Sequence, residues 1–132
     1  LPKVLVVFDP RCSWSNHFWQ TSQLLTEQID FIWFPVCVSS DYSTAQAAAM
    51  LASENSWDVL REHEELFSDP DYCGIHPEAF RFTQADRDHV GRMPVFSGRP
   101  EALQFLWAFQ NTGRPLHPVV LEITPPPKFV RK

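Results

Sequence analysis

Apolar residues along the chain follow two rhythms. Lys3 to Phe8 and Phe31 to Phe34 form unbroken β-branched and aromatic runs, the pattern of strands buried on both faces. Pro35 closes the second run. Between them, from Ser13 to about Ile29, the residues Trp14, Phe18, Leu25 and Ile29 recur at helical spacing. Asn16, Gln20, Gln23 and Glu27 take the other side of that helix. Strand, helix and strand joined by short connections predict a right-handed parallel β-α-β unit.

Ser40 to Ser43 then supply caps for an alanine-rich helix, Thr44 to about Ser53. A helix restarts at Ser56 and runs through Trp57, Leu60, Glu64 and Phe67, so residues 44–67 read as a helical hairpin or one bent helix. Ser68 to Pro77, with Pro70 and Gly74, is predicted loop. Thr83-Gln84-Ala85-Asp86 resembles the start of a short helix that ends near Gly91. Pro100, Glu101 and Gly113 bracket a further helix. Its Leu103, Phe105, Leu106, Trp107 and Phe109 cover most of the circumference, which predicts burial. Val119 to Ile123 is a third strand, and Pro125-Pro126-Pro127 is predicted to be extended.

Composition narrows the function classes. At 132 residues, 44% apolar and 20% charged, the chain suits one globular domain and excludes disorder. A net charge of −5 argues against a nucleic-acid backbone as ligand, which needs clustered cations. No apolar run approaches the roughly 20 residues of a membrane helix. Five tryptophans and eleven phenylalanines leave aromatic surface for a partner. The chain has neither an initiator methionine nor a signal-peptide pattern, so it reads as a mature or trimmed piece whose compartment is not written in it.

The most reactive feature predicted is Cys12. A strand that stops at Asp9-Pro10 and turns into a helix puts this thiol at the helix's first turn. Unpaired N–H groups and the positive end of the macrodipole favour a thiolate there. The other reading is a small buried hydrophobe at a strand end. Cys12, Cys37 and Cys73 allow one disulfide and one free thiol; if Cys12 is the reactive one, Cys37–Cys73 is the natural pair. Cys73-Gly74-Ile75-His76 has the spacing of half a zinc site, which Cys37 and either His63 or His89 would have to complete. We expect neither metal nor cofactor. A Cys-His hydrolase needs an orienting Asn or Asp and an oxyanion hole, which this sequence does not reveal.

Val7-Phe8-Asp9-Pro10-Arg11-Cys12-Ser13-Trp14-Ser15 with Phe18-Trp19-Gln20, and the alanine-rich Ser43 to Ser53, resemble the thioredoxin fold. The likeness is closest to the bacterial DsbC/DsbG group of periplasmic thiol:disulfide isomerases. It implies a single α/β domain over residues 1–132, a central mixed sheet flanked by helices with a helical insertion at about 43–92. It implies a periplasmic location and catalysis at Cys12. It also places a cis-proline at His117-Pro118, with Met93-Pro94 as the competing position. Arg11, Ser13, Trp14, Leu116, His117 and Pro118 would line an extended substrate. The implied partners are proteins or peptides with cysteines, with glutathione or a redox protein as co-reactant, and neither nucleic acid nor membrane.

This chain departs from the group in three ways. Ser15 stands where the group has its second cysteine; the group's amino-terminal dimerisation domain has no counterpart; and its last strand and helix are not evident. A serine cannot resolve a mixed disulfide, so the sequence favours a monothiol reductase or isomerase over a dithiol oxidase. Ser15 Oγ is expected to hydrogen-bond the Cys12 sulfur, Trp14 to pack beside it or fill the core, and His17 to face solvent. His117 would favour the thiolate further if it lies beside Cys12 as an imidazolium. The alternatives are a redox-inactive thioredoxin-like binding or assembly module of the cell envelope, and a Cys-to-Ser trapping variant of a Cys-x-x-Cys oxidoreductase.

Overall fold

The chain folds around a mixed sheet that joins β1 (Lys3–Phe8), β2 (Asp30–Pro35), β3 (Val119–Leu121) and β4 (Val130–Arg131) in the order β3-β1-β2-β4. The computed structural model describes residues 1–37, 40–69, 73–90, 119–121 and 128–132. β1 and β2 run parallel in the register Val6↔Trp33 and Phe8↔Pro35, while β3 is antiparallel to β1 and β4 antiparallel to β2. The central strands are buried on both faces, as their unbroken apolar runs predict: Leu5, Val6, Ile32 and Trp33 have no exposed surface.

Alternation along the strands sends Val4, Val6, Phe8, Phe31 and Trp33 to one face. There they meet helix α1 (Ser13–Ser22) through Phe18 and Trp19, helix α2 (Asp41–Ala52) through Ala49 and Met50, and helix α3 (Ser56–Glu65) through Trp57, Val59 and Leu60. The packing is aromatic and mostly edge-on or tilted; Trp19 sits 5.1 Å from Trp33 and 5.1 Å from Trp57. α2 carries alanine where others carry bulk. Its Ala47 and Ala48 pack against Val90, just beyond the short helix α4 (Gln84–His89), and against Phe82.

Side-chain caps decide where two of the helices begin. Ser40 Oγ accepts from the Ser43 N–H at 3.2 Å, so α2 starts at Asp41, three residues earlier than the alanine run suggests. Thr83 and Asp86 form the capping box predicted for α4. α2 and α3 are separate helices broken at Ser53–Asn55. α1 stops at Ser22, well before Ile29: the Ser22 hydroxyl bonds the Trp19 carbonyl at 2.7 Å, and a single 3₁₀ turn, Gln23–Leu25, follows. The predicted stripe shifts with it. Ser15, Trp19 and Ser22 are buried, whereas Trp14 is 59% and Leu25 40% exposed.

The C-terminal residues, which show no sequence pattern of their own, supply β4. Val130 is fully buried, and Arg131 Nη2 reaches Asp30 Oδ2 at 2.7 Å. The predicted helix bracketed by Pro100 and Gly113, and the triple proline 125–127, lie outside the described residues. No described helix is long and apolar enough to cross a membrane.

Candidate functional site

The C-terminal end of β1 leads directly into the site. Asp9 is buried, and its carbonyl accepts the Cys12 N–H at 3.0 Å, closing a turn over Pro10 and Arg11. Asp9 Oδ1 tightens that turn by accepting the Arg11 N–H at 2.8 Å. Cys12 is then the N-cap of α1, in extended conformation, and its carbonyl accepts the Asn16 N–H. Its side chain makes no capping bond, and the first turn of α1 holds no acidic residue. The residues of that turn therefore bring no carboxylate of their own to the positive end of the helix.

The candidate side chains around Cys12 diverge. Cys12 itself is 6% exposed. Ser15 is buried and its Oγ has no hydrogen-bond partner, so the expected bond to the Cys12 sulfur is not made. Trp14 is 59% exposed, edge-on to the exposed His17 at 6.4 Å, and does not fill the core. Ser13 is exposed. Arg11 lays its guanidinium 5.1 Å over the Tyr42 ring in the first turn of α2. Leu116, His117, Pro118 and the competing Met93-Pro94 lie outside the described residues.

α3 clamps the Cys12 segment from below with two polar residues that the sequence reading did not place there. His63 is fully buried: its Nδ1 accepts the Ile75 N–H at 3.1 Å, so Nε2 carries the proton and donates to the Pro10 carbonyl at 2.7 Å. Burial, which disfavours the imidazolium, holds it down at about 4. Glu64, 5% exposed, receives the Asn16 amide at 2.7 Å on Oε2 and at 3.0 Å on its carbonyl. Burial pushes its carboxyl up to about 7, against the pull of that amide. The signal was available, because 59, 60, 63 and 64 share one helical face and the first two are apolar.

His63 also dictates its opposite wall. Gly74 has φ +119°, and a Cβ there would collide with the imidazole, so only glycine fits. Gln46 of α2 holds the same loop, donating to the carbonyls of Cys73 and Ile75.

All three cysteines carry free thiols, so the Cys37–Cys73 bridge expected from the sequence is not formed. Cys37 instead donates its thiol to the Ser40 carbonyl at 2.8 Å and lies 3.0 Å from Ser43 Oγ. Among the described residues no group of three or more His, Cys, Asp or Glu is gathered to hold a metal. His63 is committed to two backbone groups, and among the described residues no third candidate ligand joins Cys73 and His76.

A cavity of about 380 Å³ opens at the opposite end of the strands, where Lys3, Asp30, Phe31, Trp57 and Arg131 line it. The fold and site define an α/β domain with one thiol seated where a parallel strand becomes a helix. No protein-family model, curated protein or solved structure matches the chain.

Proposed function

We propose that this domain is a thioredoxin-like thiol:disulfide interchange protein of the periplasm, acting on protein or peptide disulfides through a mixed disulfide at Cys12. One observation carries the reading: Cys12 caps α1 directly beyond a parallel strand, with no acid in the first turn and no capping bond spent on its sulfur. That is where a helix stabilises a thiolate, the attacking form of the group. The sheet supports it too. β3 lies antiparallel to β1 with Val119 opposite Val7, so it begins at the end of the sheet that holds Cys12. A strand following an X-Pro loop that faces the thiol has this direction and this neighbour.

Ser15 has no thiol to release a bound substrate, so release falls to another thiol. A substrate thiol attacking the mixed disulfide gives isomerisation; glutathione attacking it gives reduction.

The second reading, a redox-inactive thioredoxin-like binding or assembly module, draws on the 6% exposure of Cys12. Insulin reduction driven by glutathione separates the two. The interchange reading expects the rate with the intact chain to exceed that with Cys12→Ala by ten-fold or more. Equal rates remove it and leave the binding module.

A further inference from the structure

The ends of β1 and β2 bring a second thiol to the Cys12 end of the sheet. Phe8 pairs with Pro35, and the Val36 N–H donates to the Phe8 carbonyl at 2.8 Å, so the two strands stay in register to their last residues. From that level the chain turns after β1 to reach Cys12, and Cys37 follows two residues after the end of β2. Their neighbours touch. Arg11 lies over Tyr42, and the next residue, Ser43, has its hydroxyl 3.0 Å from Cys37 Sγ. Cys37 is half-buried and leans on α2's N-terminal turn through the Ser40 carbonyl. The loop that carries Cys73 meets the Cys12 turn through the His63 ring, which is bonded to both the Pro10 carbonyl and the Ile75 N–H.

We propose that Cys37 is the resolving thiol for Cys12, placed across the strand ends rather than three residues along the helix. The proposal rests on Cys12 being the nucleophile. The Cys12 thiolate attacks a substrate disulfide, whose S–S bond breaks; one substrate sulfur departs as a thiolate and takes a proton from solvent, and the other stays on Cys12. Cys37 then gives its proton to solvent, leaves the Ser40 carbonyl and Ser43 hydroxyl, and attacks Cys12 Sγ. The bond from Cys12 to substrate breaks, the second substrate sulfur departs, and a Cys12–Cys37 disulfide forms. The substrate gains two electrons and the protein dithiol loses two. Two molecules of a small thiol such as glutathione restore the dithiol and end as their own disulfide. Closure requires the two Cα atoms to come within about 7 Å.

The test treats the Cys73→Ser chain with dithiobis(nitrobenzoate) and follows released nitrothiobenzoate and intact mass. The expected result is two equivalents released, no adduct retained, a mass lower by two hydrogens, and a linked Cys12–Cys37 peptide. Cys37→Ser in the same background, which keeps a donor to the Ser40 carbonyl, should release one equivalent and retain the adduct on Cys12. An adduct that persists on Cys12 when Cys37 is present overturns the proposal and leaves Cys12 as the nucleophile. Closure onto Cys73 in a Cys37→Ser chain overturns it as well. If Cys12 forms neither adduct nor bridge in any chain, the interchange reading falls with it.

Discussion

His63 and Glu64 are adjacent, buried, and opposed in what they ask of a proton. Relative to the unfolded chain, the folded one keeps a proton on Glu64, raised from 4.5 to about 7, and sheds one from His63, lowered from 6.5 to about 4. Stability from Glu64 is therefore full below pH 4.5 and lost as the pH rises to about 7. Stability from His63 is full above pH 6.5 and lost as the pH falls to about 4. Over most of the range the two slopes oppose each other, and near neutrality Glu64 alone sets the trend. Glu64→Gln keeps an oxygen for the Asn16 amide and has no charge to bury. Urea unfolding across pH should find that variant more stable than its parent by up to about 3 kcal/mol above neutrality, and equal to it below about pH 4.5. A difference constant with pH would show that burial of the carboxylate is not the cause. Removing the amide instead, with Asn16→Ala, should move the Glu64 midpoint still higher, since that bond is what pulls it down.

Elements that announce themselves locally were legible in the sequence; elements made by contact were not. The Thr83–Asp86 box and the apolar runs of β1 and β2 each carry their own signal, and each is found where it was expected. The end of α1 was misplaced because Leu25 and Ile29 keep helical spacing beyond the point where Ser22 turns its hydroxyl onto the backbone. β4 is two residues long, too short for any period, and exists because the β2 edge accepts it. Cys12 was placed correctly, since a strand, a turn and a helix in succession fix it. The clamp from α3 was missed because it depends on which loop His63 meets. Two substitutions test these elements. Ser40→Ala should cost about 1 kcal/mol and loosen the turn that holds the Cys37 thiol, measurable by thermal melting and by faster Cys37 alkylation. Gly74→Ala should cost at least about 2 kcal/mol, because a positive φ and the His63 ring both reject the methyl.

On the scale of the whole molecule the sheet has a thiol end and a cavity end. Cys12, Cys37 and the start of β3 gather at the first; the cavity and the Arg131–Asp30 pair mark the second. Among the described residues β4 alone pairs with the β2 edge there, so deleting residues 129–132 should bare the strand's hydrogen-bonding groups. Size-exclusion chromatography should then show more self-association than the intact chain does. The same region gives the molecule a spectroscopic voice. Trp19, Trp33 and Trp57, from two helices and the sheet, lie close enough for their excited states to couple, whereas Trp14 looks out at water. A near-ultraviolet dichroism band from the trio would thus report whether sheet and helices are still assembled. The emission of Trp14, meanwhile, would answer to whatever settles beside the thiol.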